Sequence, residues 1–151
     1  MTTHGEDEAR KLVPWLSPIQ FARVLTSPLK RAQRTCELAG LGATAEVEPD
    51  LAEWNYGDYE GRLSRDIRKE RPGWNVFRDG CPNGERPGQV SDRADRLIAR
   101  LRTLDGNVAL FSHGQFARSR ASAQQTASDP SDSANQRQRA KSGDQAATRQ
   151  Q

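Results

Sequence analysis

The chain has 151 residues, a net charge of +3, a pI of about 9.2 and a mean hydropathy of −0.90. The length favours one domain, and the weak, dispersed positive charge without interleaved aromatics argues against a nucleic-acid-binding protein. No apolar run is long enough for a membrane span or a signal peptide, and Cys36 and Cys81 lack metal-type spacing. We therefore expect a cytoplasmic protein with reduced thiols and no membrane or nucleic-acid partner.

The N-terminal part of the chain predicts two helices separated by a strand. Residues 6–16 have helix-forming composition with apolar residues at helical spacing, and Pro14 should end or bend this helix. Residues 21–26 predict a short buried strand. After Ser27-Pro28, residues 29–39 predict a second helix, which a pair of glycines ends.

The middle of the chain predicts connections more than regular structure. Residues 44–47 predict a second strand, and residues 49–62 a loop with three aromatic residues and two glycines. Residues 64–70 predict a short helix with Ser64 as its N-cap. Residues 71–88 contain three prolines and four glycines, which favours a long loop.

The strongest pattern follows this loop. Apolar residues at steps of three and four predict an amphipathic helix from Val90 to Leu104. The apolar run at 108–111 is typical of a central parallel strand, and it ends in Ser112-His113-Gly114. Alternating strands and helices predict an α/β fold, a three-layer α/β/α sandwich with a mostly parallel sheet. Ligands bind beyond the carboxyl ends of such strands, where Ser27-Pro28 and His113 both fall.

Residues 26–35 are a candidate anion site. The predicted helix begins just after a strand and carries Lys30, Arg31 and Arg34 in its first turns. A helix N-terminus favours an anion, and the planar guanidinium of Arg31 can bind phosphate through two hydrogen bonds. The alternative is an exposed helix whose basic side chains are solvated.

Three further segments each have a functional and a structural interpretation. His113, at a strand end and before Gly114, lies where ligands bind, or is an ordinary hydrogen-bonded loop histidine. Residues 51–61 place three acidic residues among three aromatic ones. One carboxyl group packed against aromatic surface would have a raised pKa and act as a general acid, or all three carboxylates are exposed to water. Residues 74–85, which include Arg78, face a substrate or form a surface loop.

The order of these segments is more specific than any one of them. SPLKRAQRT, then EWNYGDYEG, a long helix and a strand ending in SHG resemble the histidine phosphatase superfamily (phosphoglycerate-mutase-like) over residues 5–118. EWNYGDYEG and WNVFRDGCPNGE are most similar to the branch that includes fungal sedoheptulose-1,7-bisphosphatase.

The resemblance implies a phosphohistidine mechanism without a metal or other cofactor. A histidine in an Arg-His-Gly motif attacks phosphorus, a second histidine and two arginines hold the phosphoryl oxygens, and a glutamate protonates the leaving oxygen. By motif, Arg31 matches the second arginine, His113 the second histidine and Glu53 the proton donor. Ser27 lies beside the pocket in the matching motif. The residues that would bind a small phosphorylated metabolite are Ser27, Tyr56, Arg78 and Gly114, of which Tyr56 and Arg78 are the weaker candidates.

The beginning of the sequence departs from this family pattern. No Arg-His-Gly motif precedes Ser27. Thr3-His4-Gly5-Glu6 resembles that motif superficially, but no apolar strand precedes it. Gly5-Glu6 followed by Ala9 better matches a later helix start of the family. We therefore expect His4 to be exposed at the entry to a helix, and the chain to be a fragment without the nucleophile strand.

The end of the sequence departs as well. From Ser119 onward, alanine is the only apolar residue type. We therefore predict a partial phosphatase domain at 1–118 and a disordered tail at 119–151, and we hypothesise a reading-frame shift near Arg118 together with a late start.

These features lead to one expectation and three alternatives. We expect a phosphatase of phosphorylated sugars or related small phosphate monoesters by family, inactive in this form, with its oligomeric state left open. The alternatives are phosphoglycerate-mutase-type transfer, a non-catalytic remnant that binds phosphate esters through Arg31 and His113, and an interaction protein whose tail recruits a partner.

Overall fold

A parallel sheet of three strands forms the centre of the computed structural model, which describes residues 1–119. The strands are β1 (Phe21–Thr26), β2 (Ala45–Val47) and β3 (Asn107–Phe111), and their order in the sheet is β2-β1-β3. Thr26 at the end of β1 is in register with Val47 and with Phe111. The carboxyl ends of all three strands therefore lie at one edge of the sheet.

Helices connect these strands, as the alternating pattern predicted. They are α1 (Thr3–Arg10), α2 (Val13–Leu16), α3 (Lys30–Leu38), α4 (Ser64–Glu70), α5 (Val76–Asp79) and α6 (Pro87–Leu101). Residues 114–119 are also helical. Single 3₁₀ turns occur at Gly42–Thr44, Pro49–Leu51 and Gly57–Tyr59.

The two faces of the sheet pack against different elements. Val24 and its neighbour on β3, Ala109, pack with Cys36 of α3 on one face. Leu25 points to the opposite face, because successive side chains of a strand alternate, and joins a larger core with Leu97 of α6. The sheet therefore lies between two layers, which confirms the predicted α/β/α sandwich.

Several details of the predicted elements were wrong, among them the single helix at residues 6–16, which is two helices, α1 and α2. Ser64 is the first residue of α4 rather than its N-cap, and Leu63 caps the helix without a side-chain hydrogen bond. The loop predicted at 71–88 contains α5, whose cap Asn75 accepts a hydrogen bond of 2.9 Å from the Phe77 amide. The helix α6 begins at Pro87, three residues earlier than predicted, because proline suits the first position of a helix.

The N-terminal region agrees with the expectation for His4. Thr2 caps α1 by accepting a hydrogen bond of 3.2 Å from the Gly5 amide, so His4 lies in the first helical turn. His4 is exposed and follows no strand. Glu6 of α1 forms a 3.1 Å ion pair with Arg34 of α3, which joins the two helices.

The predicted tail is described only at its first residue. Ser119 is helical and buried, and its hydroxyl donates a 2.6 Å hydrogen bond to the Phe116 carbonyl. Residues 120–151 lie outside the described residues, so the domain boundary and the disordered tail stay predictions. No helix within residues 1–119 is long and apolar enough to cross a membrane.

Candidate active site

The ends of β1 and β3 bring together two residues that are far apart in the sequence. The Ser27 amide donates a hydrogen bond of 2.9 Å to the Phe111 carbonyl, which fixes the two strand ends side by side. As a result, the Ser27 hydroxyl lies 2.8 Å from Nε2 of His113. Ser27 is fully buried, and His113 is only 9% exposed.

Hydrogen bonds occupy both ring nitrogens of His113. The Nε atom of Arg31 donates to Nδ1 of His113 at 3.1 Å. Because a guanidinium can only donate, Nδ1 is an acceptor and the proton of the neutral ring is on Nε2. Nε2 therefore donates to the Ser27 hydroxyl, which also accepts a 3.2 Å hydrogen bond from the Leu29 amide.

The surroundings of His113 favour its neutral form. Burial lowers the pKa of His113 below its ordinary value, and the charges of Arg31 and Arg93 lower it further. The Glu53 carboxylate acts in the opposite direction and raises this pKa. Arg31, Arg93 and Glu53 are therefore the charged groups that act on the imidazole, and Arg31 contacts it directly.

Arg31 lies in the first turn of α3, where the sequence predicted an anion site. Its side chain is exposed, and within residues 1–119 neither terminal nitrogen has a hydrogen-bond partner. Both terminal nitrogens can therefore donate to an oxyanion while Nε stays beside His113. Arg34, one helical turn further on, already binds Glu6 and Glu37.

Glu53 is half-buried in the loop that follows the 3₁₀ turn Pro49–Leu51. Its Oε1 accepts two main-chain hydrogen bonds, from the Trp54 amide at 3.0 Å and from the Phe116 amide at 2.9 Å. Phe116 lies three residues after His113, so this bond holds the carboxylate near the end of β3. Within the described chain, Oε2 has no hydrogen-bond partner.

Tyr56 lies in a loop that packs tightly on a second loop. The Asp58 amide donates to the Pro82 carbonyl at 2.9 Å, and a Cβ on Gly57 (φ +52) would collide with the same oxygen. Burial and, to a smaller extent, the negative charge of Glu53 raise the pKa of the Tyr56 phenol to about 12, so the phenol is neutral.

The structure does not bring Arg78 to these residues. Its guanidinium makes two hydrogen bonds of 2.8 Å to Asp79 and one of 2.7 Å to the Gly73 carbonyl. The Arg78 guanidinium also lowers the pKa of Asp79 to about 2. Gly114, in contrast, is exposed beside His113, with open space where a side chain would project. The substrate roles of Tyr56, Arg78 and Gly114 stay predictions.

Sequence reasoning missed Arg93. This residue of α6 is only 8% exposed, and its Nη1 donates to the carbonyls of Asp50 at 2.8 Å and Ala52 at 2.7 Å. Its Nε and Nη2 bind the two carboxylate oxygens of Glu85 at 3.1 and 3.0 Å. The available signal was its spacing, since it lies one turn from Val90 on the apolar face of the helix.

Comparison with known proteins gives a consistent result. The sequence profile of the histidine phosphatase superfamily (branch 1) matches residues 1–137. The chain is 37% identical over 130 residues to sedoheptulose 1,7-bisphosphatase of Saccharomyces cerevisiae, which covers 69% of this chain and 48% of that protein. It is 46% identical over 97 residues to an acid phosphatase of Mycobacterium tuberculosis, covering 63% of this chain and 47% of the relative.

Solved structures agree with this result. An open reading frame product of Mycobacterium tuberculosis superimposes with a TM-score of 0.73 at 37% identity, covering 79% of this chain and 63% of that structure. The chain spans about half the length of the two curated relatives described above.

Proposed function

This chain belongs to branch 1 of the histidine phosphatase superfamily, and we propose that it carries the phosphoryl-binding and proton-donating part of a phosphatase site for phosphorylated sugars or related small phosphate monoesters. The observation that carries this proposal is the direct contact of Arg31 with His113, 82 positions apart, at the carboxyl edge of a parallel sheet. Glu53 lies near enough to influence the same imidazole.

Arg31 and His113 would bind the transferring phosphoryl group. Charge spreads over the phosphoryl oxygens in the transition state, and fixed donors aimed at those oxygens stabilise it. The terminal nitrogens of Arg31 are suited to this role. His113 gains a second donor when Nδ1 takes up a proton, and the charge of a bound phosphate would favour that uptake.

Glu53 would supply the proton to the leaving oxygen. In the first step, a histidine nitrogen forms a bond to phosphorus while the bond from phosphorus to the ester oxygen breaks, and the carboxyl proton moves to that oxygen. Water then attacks phosphorus, which releases phosphate and restores the histidine. The sequence contains no Arg-His-Gly tripeptide, so we assign only the phosphoryl-binding and proton-donating groups to this chain.

Titration of the full chain with inorganic phosphate tests the binding part of the proposal. Arg31→Ala should weaken binding about tenfold or more, because a charge-assisted double hydrogen bond is lost. Arg34→Ala is the matched control, since Arg34 lies on the same helix but already binds Glu6 and Glu37. No phosphate binding by the wild type, or an equal loss in both variants, would contradict the proposal.

Trapping with a radiolabelled phosphate ester separates the remaining alternatives. An acid-labile phosphohistidine with release of inorganic phosphate supports a phosphatase. Return of the label to a second hydroxyl of the same molecule supports a mutase. Binding of phosphate without trapping supports a non-catalytic phosphate-ester-binding protein.

A further inference from the structure

The backbone around Glu53 is held from both sides by one ion pair, between the buried Arg93 and the half-buried Glu85. Before Glu53, Nη1 of Arg93 binds the carbonyls of Asp50 and Ala52. After it, the carboxylate of Glu85 accepts a 2.9 Å hydrogen bond from the Asn55 amide. Arg93 and Glu85 bind each other through two hydrogen bonds, so the two restraints form a single unit.

The same unit also reaches the group that orients the Glu53 side chain. The guanidinium carbon of Arg93 lies 4.6 Å from the centre of the Phe116 ring, within the range of a cation–π contact. The Phe116 amide donates to Oε1 of Glu53 at 2.9 Å. Arg93 therefore contacts both the main chain that carries Glu53 and the residue that fixes its carboxylate.

The main-chain carbonyls near Glu53 explain why an arginine occupies this buried position. Its planar fork directs donors at two carbonyls and at a carboxylate simultaneously, whereas a lysine ammonium is a single point charge on a flexible stem. The pairing with Glu85 compensates the buried charge. Trp54, the residue next to Glu53, adds a further link, because its indole N–H donates a 3.1 Å hydrogen bond to the Glu85 carbonyl.

We propose that Arg93, paired with Glu85, is a positioning residue that holds the carboxylate of Glu53 at the candidate active site. Arg93 acts through Phe116 and through the main chain on either side of Glu53, and it touches no reacting atom. The inference rests on the proposed role of Glu53 as proton donor. Its structural part, the control of Glu53 by Arg93, can be measured without turnover.

Hydrogen exchange of the Phe116 amide, followed by NMR on the full chain, is the first measurement. Arg93→Lys keeps the charge but loses the fork, and Glu85→Gln keeps the volume but loses the charge. In both variants the Phe116 amide should exchange about tenfold faster relative to the amides of β1, since a hydrogen bond to a charged acceptor is weakened. The ratio to β1 removes any change in overall stability.

Arg96→Lys is the matched control, because Arg96 lies on the same helix and pairs with the Asp50 side chain while remaining exposed. In Arg96→Lys, the exchange rate of the Phe116 amide relative to the β1 amides should equal that of the wild type. In a Glu53→Gln background, Arg93→Lys should cause little further acceleration, because the bond to Glu53 is already weakened. An unchanged ratio in both Arg93→Lys and Glu85→Gln, or full additivity with Glu53→Gln, would overturn the proposal.

A second readout follows the position of Glu53 through His113. Arg93→Lys conserves the charge at that position, so the NMR titration midpoint of His113 should fall only if the Glu53 carboxylate moves away from the ring. An unchanged midpoint together with an unchanged Phe116 ratio would leave Arg93 a stabilising residue alone. Failure of phosphate binding, in contrast, would refute the proposed function without affecting either readout.

Discussion

Lowering the pH below about 6.5 should destabilise the fold through His113. Its Nδ1 accepts a hydrogen bond from Arg31, so protonation there breaks that bond and places two positive groups together. Burial and the charge of Arg31 hold the pKa of His113 below its ordinary value of 6.5, and only Glu53 opposes them among the causes of the shift.

The size and sign of the effect follow from proton linkage. The unfolded chain protonates this imidazole near its ordinary pKa, whereas the folded chain does so only at lower pH. Between those two values the unfolded state holds one more proton, so the free energy of unfolding falls as the pH falls. The limiting slope for one group is about 1.4 kcal/mol per pH unit, and the full contribution of neutral His113 is present above the unfolded pKa.

Urea unfolding between about pH 5 and pH 7.5 measures this slope. The difference between the wild type and His113→Gln isolates the contribution of His113, because the other titrating groups are common to both. His4→Gln gives the same subtraction for the other histidine of the chain, which is exposed on α1. Identical pH dependence in the wild type and His113→Gln, or an NMR midpoint for His113 at or above its ordinary value, would refute the reasoning.

Three further predictions concern stability and reactivity. Ser27→Ala removes a buried acceptor of two hydrogen bonds and should lower the free energy of unfolding by about 2 kcal/mol in urea melts; an unchanged midpoint would contradict this. Gly57→Ala, at positive φ against the Pro82 carbonyl, should cost more than about 2 kcal/mol, whereas Gly88→Ala in the open first turn of α6 should be neutral or slightly stabilising. Equal melting temperatures of the Gly57→Ala and Gly88→Ala variants would refute this prediction. Burial raises the pKa of Cys36 to about 11, so a thiol reagent at mild alkaline pH should label it only after urea is added; rapid labelling of the native chain would count against this.

The sequence predicted the strands well because each is a short segment of mostly apolar residues between turn or helix signals. Phe21–Thr26 has the bounds that its pattern indicated, and β3 differs by one residue. The meeting of His113 and Ser27 at one edge of the sheet follows from the same strands, because the carboxyl ends of parallel strands lie together, and the roles of both residues stay predictions. This part of the site depends on local patterns and on one general rule of topology.

Arg93 and Arg78 show why the remainder could not be predicted. Two partners of Arg93 are main-chain carbonyls more than 40 positions away, and carbonyls leave no mark in an amino-acid sequence. The substrate role of Arg78 stays a prediction, and the pattern did not indicate that the neighbouring Asp79 binds its guanidinium. Long-range main-chain contacts and competition between adjacent side chains are both invisible to periodicity.

The distance along the chain between Ser27 and His113 has a consequence for how the protein acquires its site. These side chains, 86 positions apart, meet only after β1 has paired with β3, which requires closing a long loop. No partly folded species with β1 and β3 apart contains the arrangement, so we expect phosphate to bind after this pairing. Added phosphate should therefore slow the separation of β1 from β3 once they have paired. It should leave the rate at which the two strands first associate unchanged.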